Sequence, residues 1–282
     1  MVAPYALLES LEPGIARLLA HNPSPFTFTG TQTYFVGKDE IVIVDPGPDL
    51  REHVAAIVAA IGGRRVVAIA CTHTHRDHSP ASRALAAATG APIVGCAALA
   101  VESVGPRADA SFDFEYRPDR VLADNEQIEV DGDAFSAVAT PGHTSNHLCF
   151  AYRGALFSGD HVMGWSTTVV VPPDGDMGEY MGSLDKLRQR DDRIFYPAHG
   201  AAVTKPQQLL RGMIGHRMQR ERQILNRLEA ADRTVPEIVA AAYPGLDPRL
   251  VPAAGASVTA HLLDLVRRGL VMRGEGETWT TT

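Results

Sequence analysis

His73-Thr74-His75-Arg76-Asp77-His78 crowds three imidazoles and a carboxylate into one short stretch. It follows closely on the apolar, β-branched run Val66-Val67-Ala68-Ile69-Ala70, which has the length of a buried strand. The polar cluster therefore begins where a strand ends, and that is where α/β sheets present ligand sites. A lone loop histidine reads as an ordinary solvated side chain, but a cluster does not. Crowded imidazoles repel when protonated, and one buried without a partner is costly. A metal ion relieves both problems, because it takes neutral imidazole and carboxylate as ligands.

The rest of the composition narrows the class. At 282 residues the chain holds one large core, or a large domain and a small one. No apolar run is long enough for a bilayer, so no membrane partner is expected. Met1 to Ala20 carries Glu9, Glu12, Pro4 and Pro13 and lacks the basic start and apolar core of a signal peptide. Cys71, Cys96 and Cys149 sit in apolar contexts without short spacing, which predicts buried thiols in a reducing cytoplasm and no disulfide partner. The formal charge of −7 argues against nucleic-acid binding by charge alone. Its distribution is uneven. Residues 1–201 carry 15 Lys and Arg against 25 Asp and Glu, while residues 202–282 carry 11 against 8. A tail at +3 is as well explained by a solvated helix face.

Taken in order, Gly14 to Ala20 reads as a short helix or an edge strand. Phe26 to Thr29, Thr31 to Val36 and Glu40 to Val44 read as strands, then a helix from about Asp49 to Ile61 with Val54, Ile57, Val58 and Ile61 on one stripe. Ser79 suits an N-cap, with Pro80 as the first helical residue, and Thr89-Gly90 ends that helix. Ala91 to Gly95 is a short strand, and Ala100 to Asp119 a loop over the site. Val121-Leu122 opens an antiparallel series continued by Gln127 to Val130, Phe135 to Ala139, His147 to Tyr152 and Leu156 to Ser158. A helix Met181 to Gln189 and a strand Arg193 to Tyr196 follow. Two series of strands, each followed by helices, predict two sheets between helical layers. The character changes near Lys205: a long helix from Pro206 to about Ala230, a helix Pro236 to Ala242, a helix Val258 to Arg268, and a terminal hairpin. That order suggests a winged helix. In the last helix Val258, Leu262, Leu265 and Val266 read as core, and His261, Asp264, Arg267 and Arg268 as the exposed side.

Three further stations repeat the logic of the histidine cluster: Thr140-Pro141-Gly142-His143, Phe157-Ser158-Gly159-Asp160, and Tyr196-Pro197-Ala198-His199-Gly200. Each puts a metal-competent side chain just past a strand, beside Gly, Pro or Ala that shapes a sharp turn. On these residues the chain resembles the metallo-β-lactamase superfamily. The resemblance implies an α/β fold, the four-layer αβ/βα sandwich, with a catalytic domain over residues 1–204 and a small winged-helix-like domain over residues 205–282. It also implies that His73, His75 and His143 hold one metal, that Asp77, His78 and His199 hold a second, and that Asp160 bridges them. Asn22-Pro23-Ser24-Pro25, Gly30 to Tyr34, Thr167-Thr168, Tyr180-Met181, and His216-Arg217 with Arg220 to Leu225 resemble the β-lactamase-like protein 2 branch, at least one member of which is an endoribonuclease. Ser79-Pro80 departs from that branch, which often has Ser-Gly there. His161, where relatives often carry cysteine, is left as a support for the ligands, a pocket wall or a packed side chain.

The expected chemistry is hydrolysis by a hydroxide bridging two cations, without a serine or cysteine nucleophile. Cys71, among apolar neighbours, is structural. Asp77 orients the attacking water or takes its proton. Two Zn2+ suit the ligands best, and Mn2+ or Fe2+ are compatible with them. The first expectation for the substrate is single-stranded RNA or another phosphodiester, with Arg76, Arg107, Arg117, Arg120, His216, Arg217 and Arg220 as candidate phosphate contacts. The alternatives are a small-molecule ester, as in a thioesterase or glyoxalase-II-like hydrolase, or a nucleic-acid-binding protein with a vestigial metal site. The tail allows a lid or a homodimer surface.

Overall fold

The computed structural model describes residues 5–99, 112–230 and 233–282. Its first sheet takes its strands in chain order: β1 (Glu9–Glu12), β2 (Ile15–Leu19), β3 (Gln32–Val36), β4 (Glu40–Val44), β5 (Arg65–Cys71), β6 (Ile93–Gly95) and β7 (Arg120–Val121). β1 to β4 pair antiparallel. β4 to β7 pair parallel. α1 (Arg51–Ile61) and α2 (Ala81–Thr89) supply crossovers, as parallel neighbours require. The second sheet comprises β8 (Gln127–Val130), β9 (Asp133–Ala139), β10 (Leu148–Tyr152), β11 (Ala155–Gly159) and β12 (Ile194–Pro197). β8 to β11 form an antiparallel meander, and β12 joins β11 in parallel after α3 (Met177–Arg188).

The period-two alternation of β4 shows why the layers stack. Val42 and Val44 pack between the sheets with Tyr34, Phe135, Phe150 and Phe157. Ile41 and Ile43 face the other way, onto Ile57, Ile61 and Leu85 of α1 and α2. On the far side, Val138, Cys149, Leu156 and Phe195 meet Tyr180, Leu184 and Leu187 of α3. The result is helix, sheet, sheet, helix.

α4 (Pro206–Glu229) enters two cores. Leu210 and Met213 pack with α3 and the second sheet. Ile224 and Leu228, further along, pack with α5 (Val235–Ala242), α6 (Val251–Arg267) and Trp279 of the hairpin β13 (Val271–Arg273)–β14 (Trp279–Thr281). This is the helical, winged-helix-like module. Among the described residues, no helix is long and apolar enough to cross a membrane. Cys71, Cys96 and Cys149 are buried and free.

Several local expectations are corrected. Gly14 to Ala20 holds the strand of its two readings, β2, though inside the sheet between β1 and β3 and not at its edge. Phe26 to Thr29 is a turn, because the Ser24 hydroxyl accepts from Phe26 N and Thr27 N, and the Thr27 hydroxyl donates to Asn22 O. Val58 is exposed, and His53 takes its place on the buried stripe of α1. Ser79 makes no cap: its hydroxyl donates to Asp113 Oδ2, and α2 begins at Ala81. Val121 pairs in parallel with β6 and so belongs to the first sheet. α6 begins at Val251, since Pro252 is tolerated in a first turn. His261 is buried on it, not exposed. Of the expected loop over the site, residues 100–111, Arg107 among them, lie outside the described residues.

Candidate metal centre

Each strand-end station opens on the same edge of the sandwich. β5 delivers the loop 72–79, which turns tightly as His78 N and Ser79 N both donate to His75 O. β9 delivers His143, β11 delivers Asp160 and β12 delivers His199. Leu148 N donates to Thr72 O and Gln32 N to Ala198 O, so the two sheets are tied together beside the site. Two glycines let the backbones approach. A Cβ on Gly142 (φ 131°) would stand 2.3 Å from Tyr180 Cα, and one on Gly159 (φ 49°) 2.6 Å from His147 Nε2.

All seven sequence-predicted residues come together in two adjoining groups, His73, His75, His143 and Asp160 in one and Asp77, His78 and His199 in the other. Within each group the ligand-competent atoms lie within 4.8 Å of one another. His75 Nδ1 is 2.8 Å from His73 Nε2 and 3.2 Å from His143 Nε2. Asp160 stands between the groups. Its Oδ1 is 3.2 Å from His199 Nε2 and 3.6 Å from His78 Nε2, and its Oδ2 is 3.8 Å from His143 Nε2. Asp77 Oδ2 lies 3.2 Å from His199 Nε2 and 3.3 Å from His78 Nε2.

Outer hydrogen bonds orient the rings. His143 Nδ1–H donates to Val169 O (2.7 Å), His78 Nδ1–H to Asp45 Oδ2 (2.9 Å) and His199 Nδ1–H to Gly30 O (3.1 Å). In a neutral ring each donation leaves Nε2 as a lone pair facing the centre, which is how metal-binding histidines are held. Burial opposes charge on His78, yet Asp77, Asp160 and Asp45 hold its imidazole well above its ordinary value. His199 is likewise pushed up to about 10, against burial, by Asp160 and Asp77. Burial disfavours ionised Asp160, and the imidazoles of His199 and His78 override it to keep the carboxyl well below its usual range. His73 goes the opposite way, held low by burial and by the neighbouring imidazoles of His78, His75 and His143. His78 Nε2 and Asp160 Oδ1 are buried without a hydrogen-bond partner. Buried carboxylates that demand positive charge, beside imidazole lone pairs turned inward, are the donor set of a pair of divalent cations.

Sequence reasoning missed the residues behind these. Asp45, at the end of β4, accepts from Thr72 N (2.8 Å) and Thr72 Oγ1 (2.8 Å) as well as from His78. The Thr31 hydroxyl donates to Asp77 Oδ2 (3.1 Å) and itself accepts from Asn22 Nδ2 (2.9 Å). His161 is packed. Its ring leans on Tyr180, it belongs to neither group, and burial lowers it to about 3.

His75, Asp77, His143, Asp160 and His199 of the centre line a cavity of about 740 Å3. Its walls are largely apolar, with Pro25, Phe26, Met163, Trp165 and Val169 on the sandwich side and Tyr243, Leu246, Leu250 and Ala253 on the module side. The candidate phosphate contacts fare poorly. Arg217 is buried, donates to Thr168 O and to Ser257 Oγ (3.3 Å), and lies over the Tyr180 ring. Arg220 donates to Gln223 Oε1 and Ala242 O (2.8 Å each) and stacks on Tyr243. Arg117 caps nearby carbonyls and Arg120 pairs with Glu126. Arg76, which donates to Phe112 O, reaches the cavity lining with its side chain exposed.

Comparison with known proteins gives the family and the fold. The family model described as metallo-beta-lactamase superfamily matches residues 26–199, and that of the beta-lactamase associated winged helix domain matches residues 234–279. A beta-lactamase-like protein 2 homolog of Caenorhabditis elegans is 32% identical over 234 residues, covering 79% of this chain and 73% of that protein. An atrochrysone carboxyl ACP thioesterase of Aspergillus fumigatus is 33% identical over 234 residues, 80% of this chain and 68% of that one. The crystal structure of a metallo-beta-lactamase family protein from Thermus thermophilus superposes with a TM-score of 0.77 at 22% identity, over 97% of this chain and all (100%) of that chain.

Proposed function

The chain belongs to the metallo-beta-lactamase superfamily and carries its winged-helix C-terminal domain, and on that premise we propose that it is a dimetal thioester hydrolase. The observation that carries the reading is the cavity: ligand-competent side chains line it together with a mainly apolar surface, which hydroxyls such as Ser24, Thr27 and Thr167 interrupt. The expectation of single-stranded RNA gives way to the thioester alternative. Arg217 and Arg220 are committed to protein acceptors and aromatic rings, leaving little positive charge on that wall for a phosphate backbone. Relatives from several fungi are thioesterases by name, which supports the same choice.

In this reading His73, His75 and His143 would hold one cation, Asp77, His78 and His199 the other, and Asp160 both. Divalent cations there supply Lewis acidity and acidify a water to near neutral pH. Asp77, on the cavity lining, would orient the attacking water and take its proton. Oxygen then adds to the acyl carbon, the carbon–sulfur bond breaks, and the proton leaves with the thiolate, giving a carboxylic acid and a thiol. Residues 1–204 supply the chemistry and residues 205–282 part of the wall. Three free, buried thiols suit a reducing cytoplasm.

The test is a panel of an N-acetylcysteamine thioester, single-stranded RNA, bis-(p-nitrophenyl) phosphate and a β-lactam, with protein loaded with zinc, manganese or iron and its metal content measured. Hydrolysis of the thioester alone, lost together with bound metal in His73→Ala and Asp77→Ala, is the expected result. Cleavage of RNA or the phosphodiester without the thioester would overturn the reading.

A further inference from the structure

The far wall of the cavity belongs to the C-terminal module, not to the sandwich that carries the metal-competent side chains. Tyr243, Leu246, Leu250 and Ala253 line it, and Phe26 and Met163 line the same cavity from the sandwich. These module residues come from the segment after α5 and from the first turn of α6. Tyr243 and Leu246 also pack against the module's own core, so the wall is a fixed surface. On the module side, Arg220 is stacked on Tyr243, 3.8 Å from the ring centroid, with its guanidinium on Ala242 O and Gln223. His216, beside it on the lining, is kept below its ordinary value by burial and then by Arg217 and Arg220.

We infer that this wall seats the acyl group of the substrate, and that the group is apolar, uncharged and longer than a few carbons. The inference rests on the thioester reading above. It assigns the winged-helix module a part in substrate choice: the module side chains that line the cavity set the acyl length accepted, while the reacting end stays unchanged. A cavity of this size suits a ligand of several to a few dozen non-hydrogen atoms, most of it removed from water.

The experiment is a series of N-acetylcysteamine thioesters from acetyl to dodecanoyl, with binding of the uncleavable thioethers S-ethyl and S-decyl N-acetylcysteamine measured alongside. For the native protein kcat/KM should rise about threefold per added methylene until the cavity is full, and the decyl thioether should bind at least about tenfold more tightly than the ethyl. Ala253→Phe, at a half-buried position on the cavity lining, should cut decanoyl turnover at least about tenfold more than acetyl turnover. Leu246→Ala should move the optimum to longer chains, and it serves if the phenylalanine variant does not fold. A flat length profile with acetyl readily cleaved would overturn the inference and spare the thioester reading. Tight, Ala253→Phe-sensitive decyl binding with no thioester cleaved would do the reverse.

Discussion

Asp45 holds the second group of ligand-competent side chains in place although it belongs to neither group. Its carboxylate accepts from Thr72 N, Thr72 Oγ1 and His78 Nδ1, all buried. Asp45→Ala should strand those donors and cost about 2–4 kcal/mol in urea unfolding. It should also weaken cation binding at Asp77, His78 and His199 by about 10- to 100-fold, read by titration against a chelator. All seven clustered side chains were legible in the sequence, four from their crowding after one strand and three because each stands just past a strand beside Gly or Ala. Asp45-Pro46-Gly47 stands just past a strand too, but an acid before Pro-Gly also marks a plain turn, so nothing set it apart. Thr31 was legible as a strand residue and within the Gly30 to Tyr34 resemblance, and neither marks it as a partner of Asp77. The acceptors Gly30 O and Val169 O are backbone atoms, which no side-chain pattern reveals.

At the level of elements, α3 braces the loop that carries His143. Gly142 lies against the α3 backbone at Tyr180, Asp176 N donates to Gly142 O, and Ser183 Oγ donates to Pro141 O. Gly142→Ala should therefore force the loop off the helix and cost at least about 2 kcal/mol, measured by denaturant unfolding, while lowering metal content through His143. Strands such as β4 and β5 were legible because long β-branched runs between turns have few other readings. β7 was assigned to the wrong sheet because two residues have no period and pairing partners are a tertiary choice. The Phe26 to Thr29 turn looked like a strand for the same reason: Thr and Phe favour strands, and only the Ser24 and Thr27 hydrogen bonds decide otherwise.

At the scale of the whole molecule, polar links from Gln207, Arg217 and Arg267 join the module to the sandwich. Arg217 reaches from α4 to Thr168 O and to Ser257 of α6. Arg217→Ala should destabilise the fold by about 2–4 kcal/mol, because it leaves buried acceptors unpaired. It should not change the salt dependence of any residual RNA binding, since the side chain contacts protein and not solvent. Asp176 caps α3 through Glu179 N and pairs bidentately with Arg267 of α6. The Arg267 guanidinium holds its carboxyl below the usual aspartate range. A depressed folded pKa stabilises the native state above the unfolded value of about 4, and that contribution is lost as pH falls through the folded value. Asp176→Asn should therefore flatten the acid limb of a stability-versus-pH curve and leave the neutral limb lower by a fraction of a kilocalorie to about 1 kcal/mol. The cavity is walled by both parts of the chain. An ancestor could thus exchange one tail for another, or reshape its inner face by drift, and meet a new metabolite while inheriting the old reaction intact.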